Sequence, residues 1–238
     1  MNLTEGIVVK TINYQDNAKI VYLITANGKK SIIVKGATNL KSHTFSYAQE
    51  LTKLGYDIKD KYLSAGKIIN SYSNIKSSYD KIHSALLIIE IAYDLIDHIN
   101  DFDTFYTFLD NVLSLIDGQD YYQILELIFR VKTLYLLGVS PIFTRCIECE
   151  SKENLVGFSF YNGGMKCTNC VTHDDLIYKD EVILSLKQLY LIKLEDLEKN
   201  LDKIVINYDE LNLFLNRYYE HYLGFVSRVS RIFTKMEK

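Results

Sequence analysis

The chain is short of several things, and each shortage narrows what it can be. Its 238 residues include a single proline, Pro141, so no proline-rich linker divides it. No apolar run reaches the roughly 20 residues that a bilayer span requires; the best stretch, ALLIIEIA, is interrupted by Glu90. The opening MNLTEGIVVK holds Glu5 and no basic cluster ahead of an apolar stretch, so a secretory leader is not expected. There is no Gly-x-x-x-x-Gly-Lys-Ser/Thr loop, Gly-x-Gly-x-x-Gly turn, His-Glu-x-x-His helix or Gly-x-Ser-x-Gly elbow. The sequence therefore reads as a binding protein and not as an enzyme. Arginine is scarce, five residues against 22 lysines, and the four cysteines all fall within 146–170.

What is present is unevenly distributed. Residues 1–76 hold eleven lysines against five acidic residues, whereas 77–238 hold 16 basic and 25 acidic groups, giving −3 overall. One end of the chain thus offers a positive field to a polyanion. The 19 tyrosines accompany an abundance of Lys, Asn and Ile, so their number by itself does not argue for base stacking.

The positive segment reads as β-structure. GIVVKTI, AKIVYLITA and KKSIIVKG are rich in β-branched residues, and Asn27-Gly28 between the last two predicts a type I′ hairpin. FSYAQELTKLGY and YLSAGKIINSY follow as weaker strands. Five short strands in about 70 residues fit a small closed barrel of the OB type, a common nucleic-acid-binding architecture. After Ser77 the apolar period becomes helical, with helices predicted over 79–99, 102–116 and 120–137, the last stopped by Gly138 and Pro141. Two more are predicted over 180–199 and 209–233. The expected class is α+β: an OB-fold β-barrel over 1–76, then an α-helical bundle over 77–238. A cysteine knuckle over 142–175 is inserted between the helices.

That knuckle, CIECESKENLVGFSFYNGGMKCTNC, contains two Cys-x-x-Cys pairs, Cys146/Cys149 and Cys167/Cys170, with 17 residues between them. The spacing is that of a zinc site, in which each pair turns two thiolates toward one centre. Four protein ligands close the coordination sphere, so one structural Zn2+ ion is expected rather than a catalytic one. His173, Asp174 and Asp175 lie close enough in sequence to act as substitute ligands, although a solvated loop is the plainer expectation. Asp94, Asp97, Asp101 and Asp103 form an acidic cluster that would suit a magnesium-dependent nuclease only if they converged on one point.

Two sets of basic residues are candidate DNA contacts. Lys10, Lys19, Lys29, Lys30, Lys35 and Lys41 lie on the strands and turns of the expected barrel, and VKGATNLKSHTF adds Ser42 and His43 beside a flexible Gly36. Lysines track phosphates as point charges, so binding should be nonspecific and salt-dependent. Tyr22, Phe45 and Tyr47 are available for stacking, with core filling the favoured reading for Tyr22. Arg217, His221, Arg228 and Arg231 would share one face of the last helix and form a second DNA surface.

The order of these segments resembles the bacterial recombination mediator RecO family. EGIVVKTINYQDNAKIVYLITANGK is similar to the family's opening hairpin and VKGATNLKS to its Lys-Gly-Ala…Lys-Ser segment. LLGVSPIFTRCIECE and YNGGMKCTNC resemble the approaches to its two cysteine pairs. Thr38, Asn39 and Leu40 stand where many family members carry arginines. The resemblance implies a DNA repair and recombination protein that binds single- and double-stranded DNA and anneals complementary strands. It also implies interaction with single-stranded-DNA-binding protein (SSB), cooperation with RecR to load RecA, and a cytoplasmic, nucleoid-associated location away from membranes. The alternative is a zinc-stabilised scaffold that binds proteins and has no DNA affinity of its own.

Overall fold

The structure, a computed structural model, describes residues 3–177, 180–204 and 206–230. Five strands, β1 (Thr4–Tyr14), β2 (Ala18–Thr25), β3 (Gly28–Lys35), β4 (Thr52–Lys59) and β5 (Tyr62–Asn70), close into a barrel of order β1-β2-β3-β5-β4. All neighbours are antiparallel except β3 and β5, which meet in parallel at Ile33 and Tyr62. This is the OB arrangement expected from the sequence. Val8, Val21, Leu23, Ile32, Val34, Leu54 and Tyr56 fill its interior.

Two local details differ from the sequence expectation. The β2–β3 hairpin turns over Ala26 and Asn27, and Gly28 alone takes a positive φ, 91°. This is a turn followed by a left-handed glycine, not type I′, which would need positive φ at both central residues. The Thr25 hydroxyl stabilises it, donating to Gly28 O at 2.8 Å and accepting from Asn27 N–H at 3.1 Å. Residues Phe45–Ala48, expected to begin a strand, instead belong to a 3₁₀ helix over His43–Ala48 capped by Ser42, whose Oγ accepts from Thr44 N–H. The strand starts only at Thr52.

The described residues divide into two compact units, one comprising 3–122 with the segment 227–230, the other within Gln123–Val226. In the first, the barrel is accompanied by α1 (Ser73–Ser77), α2 (Tyr79–Leu95) and α3 (Phe102–Gly118). The expected helix over 79–99 is apolar on more than one face: Leu87, Ile88, Ile89 and Ile91 are all buried. A helix hydrophobic nearly all round is an interior helix, and α2 packs against both β1 and α3. Lys53 of β4 pairs with Asp110 of α3 at 2.7 Å, and Tyr72 donates to the same carboxylate at 2.8 Å.

The second unit contains α4 (Tyr122–Leu136), a three-stranded sheet of β6 (Leu155–Ser159), β7 (Gly164–Cys167) and β8 (Leu176–Ile177), and α5 (Asp180–Leu191), α6 (Leu197–Asn200) and α7 (Tyr208–Leu223). Both C-terminal helices are shorter than their sequence patterns predict. α5 ends at Leu191, and α7 ends where Gly224 takes a left-handed φ of 61° and donates to the Glu220 carbonyl. An ion pair between Arg130 and Glu126, 2% and 0% exposed, lies in this unit. Asn212 and Asn216 accept from the two terminal nitrogens of Arg130, and Tyr208 donates to Glu126. No helix among the described residues is long and apolar enough to cross a membrane.

Candidate metal centre and nucleic-acid interface

The four cysteines converge as their spacing predicts. Their sulfurs all lie within 4.8 Å of one another. The Cys149 and Cys167 sulfurs are 3.6 Å apart, too far for a disulfide. Four sulfurs at about 2.3 Å from one ion would stand about 3.8 Å from each other, so the cluster has the size of a zinc tetrahedron. Local backbone makes this possible. Glu150 N–H donates to Cys146 O at 3.0 Å and Cys170 N–H to Cys167 O at 3.0 Å, folding each Cys-x-x-Cys into a tight turn. Glu150 and Asn154 take the positive φ values, 62° and 52°, needed to leave the first turn.

The electrostatics also fit a cation. Burial opposes ionisation of Cys146, but the N–H groups of Cys149, Cys167 and Glu148 directed at its sulfur outweigh this and hold its thiol at about 6. Cys149 has a Ser151 N–H that favours its thiolate, yet the neighbouring sulfurs of Cys146 and Cys167 push it up. The sulfurs of Cys149 and Cys167 likewise push Cys170 up. Crowded thiols resist losing all their protons unless a cation takes up the charge. Cys146, Cys149, Cys167 and Cys170 can therefore bind a metal ion. The other proposed ligands do not join them: His173 and Asp174 are exposed and pair with each other, while Asp175 is buried against Lys166.

The acidic cluster does not converge. Asp94 binds Arg228, Asp97 binds Lys29, and Asp101 caps α3 through Thr104. The four cysteines are the only group of metal-ligating side chains found together among the described residues.

The candidate DNA contacts separate into two sets. Lys10 and Lys29 lie over the ring of Tyr93 on α2, at 4.2 and 4.8 Å, and Lys29 also reaches Asp97 and the Tyr93 carbonyl. These two lysines attach α2 to the barrel. Tyr22 likewise packs edge-on against Tyr93, at 5.3 Å. Strand register puts Lys29 and Lys30, opposite Ile24 and Leu23, at one end of the β2–β3 ladder. Lys19 and Lys35, opposite Val34 and Ala18, stand at the other. Four residue steps of strand, about 13 Å, separate Lys19 from Leu23.

The Lys19–Lys35 end gathers the remaining residues. Thr44 Oγ1 donates to Lys35 O at 2.7 Å, tying the 3₁₀ helix and the Lys41–His43 segment to the end of β3. Gly36 allows this fold-back. Its φ is 75°, and a Cβ there would meet Ser42 Oγ at 3.0 Å and Thr44 Oγ1 at 3.1 Å. Ser42 is occupied in capping, whereas His43 and Lys41 are exposed. Lys19 reaches over Phe45 at 5.8 Å, and Tyr47 is half-buried against the barrel core. Lys59, Lys61 and Tyr62, in the β4–β5 hairpin, were not singled out from the sequence. The usual place of that loop in OB ligand sites is the signal that would have found them.

The arginine stripe does not form on one helix. Arg217 and His221 are exposed on α7, but Gly224 ends that helix before Arg228. Arg228 instead donates to Glu90 at 2.8 Å and Asp94 at 2.9 Å. Arg231 lies outside the described residues.

A lysine-bearing OB barrel followed by helices and a cluster of four cysteines able to hold a metal ion is the architecture that these residues build. The chain belongs to the RecO family of recombination proteins. The family descriptions "Recombination protein O N terminal" and "Recombination protein O C terminal" match residues 1–72 and 76–231. Curated relatives named DNA repair protein RecO agree over most of the chain. The one from Bacillus cereus is 28% identical over 98% of this chain and 97% of its own. That from Oceanobacillus iheyensis is 25% identical over 98% and 93%, and that from Caldicellulosiruptor bescii 28% over 82% and 83%. Family membership supports a role in DNA repair and recombination.

Proposed function

We propose that the chain is a recombination mediator that binds single- and double-stranded DNA without sequence preference, anneals complementary strands and, with RecR, helps load RecA onto SSB-coated DNA. The observation that carries this reading is the cluster at one barrel end: Lys19, Lys35, Lys41 and His43, none in an ion pair among the described residues. Annealing needs no catalytic group. A positive surface that holds two strands raises their local concentration and screens their repulsion, and base pairing completes the step. One structural zinc ion on the four cysteines would brace the helical module, and residues 1–76 and 77–238 are the proposed functional modules. For the acidic tail of SSB, a groove of about 280 Å³ has suitable chemistry: apolar Pro141 and Phe143 line it together with the basic Arg145 and Lys187.

The test is annealing of two complementary oligonucleotides precoated with the cognate SSB. Acceleration that fades as salt rises is expected. Lys35→Glu with Lys41→Glu should lower DNA affinity and reduce the salt slope by about 2. Unchanged affinity and slope would remove this barrel end from the site. The 77–140 segment, with three basic and ten acidic residues, favours the second reading, a protein-binding scaffold. Retention of RecR or SSB without any measurable DNA binding would select it.

A further inference from the structure

Tyr62 opens β5 directly after the β4–β5 turn, and its position is fixed by main chain. It pairs with Ile33 of β3 in the only parallel contact of the barrel, where Ile33 N–H donates to Lys61 O at 2.9 Å. Its ring is half-buried and has two ammonium groups near it, Lys35 Nζ at 4.4 Å from the ring centroid and Lys61 Nζ at 5.9 Å. Both lysines are exposed, and neither has an ion pair among the described residues. Lys59, also exposed, stands opposite Tyr62 across the hairpin, while Lys19 is one register position from Lys35.

We propose that Tyr62, flanked by Lys35 and Lys61, is a base-stacking platform that favours single-stranded over double-stranded DNA. This rests on the DNA-binding reading above and specifies its ligand. An ammonium over an aromatic face is attracted to the ring, but an arriving phosphate is a stronger partner. As the lysines turn to the backbone, a ring face becomes available to a base. Such stacking is indifferent to sequence because every base has a π-face. A duplex supplies phosphates but no unstacked base, so it engages the lysines alone. An acidic protein segment would do the same. The loop is one of those through which OB barrels hold oligonucleotides.

The chain contains no tryptophan, so Tyr62→Trp installs a unique fluorophore. The full-length variant is titrated with oligothymidylate, with a blunt duplex and with polyglutamate, while binding is followed independently by anisotropy of labelled DNA. Oligothymidylate should quench the tryptophan, and duplex and polyglutamate should leave it nearly unchanged. Tyr62→Ala should lose about 5- to 100-fold in single-strand affinity and little in duplex affinity, whereas Tyr62→Phe retains both. Single-strand binding without quenching, or equal quenching by duplex or polyglutamate, would overturn the platform and leave DNA binding intact. Absence of DNA binding by the unaltered protein would instead overturn the DNA-binding reading, and the platform with it. If Tyr62→Ala does not fold, the tryptophan and phenylalanine variants decide the question.

Discussion

Three tyrosines of α7 tie that helix to α4, to the segment after it and to the knuckle. Tyr218, Tyr219 and Tyr222 donate to the carbonyls of Val139, Arg130 and Phe160 at 2.8, 2.8 and 2.6 Å. The Tyr218 and Tyr222 rings extend an aromatic cluster that includes Phe158, Phe160 and Phe214, whereas Tyr219 packs edge-on against Phe225. Tyrosine suits Tyr218 and Tyr222 because the body of the side chain packs while its hydroxyl satisfies a part-buried loop carbonyl. The Tyr222 contact constrains Gly163, whose φ is 69° and whose added Cβ would stand 2.7 Å from the Tyr222 hydroxyl. Gly224 has a similar φ, 61°, but open space around it. Gly163→Ala should therefore cost about 2–4 kcal/mol, strain plus overpacking, and Gly224→Ala about 1–2 kcal/mol, strain alone. Urea denaturation checks the pair. Equal losses would show that the Tyr222 contact does not constrain Gly163.

At the scale of elements, the knuckle is the part least able to stand without help. β6, β7 and β8 have five, four and two residues, too few to hold a sheet together. Its cohesion comes from the aromatic cluster, the Lys166–Glu148 and Lys166–Asp175 pairs, and the metal the cysteines would hold. Stripping zinc with a chelator should speed hydrogen exchange across residues 146–170 while barrel amides stay protected. Elemental analysis should give one zinc per chain, and Cys167→Ser should lose it. A Cys167→Ser protein that keeps its zinc and its melting temperature would contradict the assignment.

Across the whole molecule, the chain returns after α7 to the unit in which it began. Glu90, 8% exposed on α2, receives Ser227 Oγ at 2.6 Å and the N–H groups of Arg228 and Val229 at 3.0 and 3.4 Å. Burial pushes its carboxyl up, but the Arg228 guanidinium, the Ser227 hydroxyl and these N–H groups prevail and hold it below the ordinary carboxylate range. A depressed folded-state value means the clamp stabilises fully above the unfolded-state pKa, about 4.3, and weakens as pH falls through the lower folded value. The Arg228 side chain is 60% exposed, so solvent screens its share, and the buried Ser227 hydroxyl with the two part-buried N–H groups supplies most of the effect. Glu90→Gln should cost about 1–3 kcal/mol at pH 7 and flatten the loss of stability between pH 5 and pH 3. Urea midpoints at several pH values measure this. An unchanged acid slope would show that another carboxylate sets it.

Local chemistry was legible where a residue pattern admits few conformations. Alternating β-branched runs specified the barrel strands, and two Cys-x-x-Cys turns brought four sulfurs to one point, because both depend on neighbours close in sequence. The apolar period likewise located α2, α3 and α4. It did not reveal that α2 is buried on several faces, since periodicity records spacing but not how many elements pack around a helix. Nor did it stop α7 at Gly224, because a glycine inside an apolar pattern is tolerated or not according to what the following residues find to bind. Arg228 found Glu90, 138 positions away. The lysines show the same division. Composition established a positive barrel, but only the packing of α2 on the closed strands set Lys10 and Lys29 against Tyr93, while Lys19, Lys35 and Lys41 have no ion pair among the described residues. Charge is a property of the residue, whereas its availability depends on which long-range contacts have already used it.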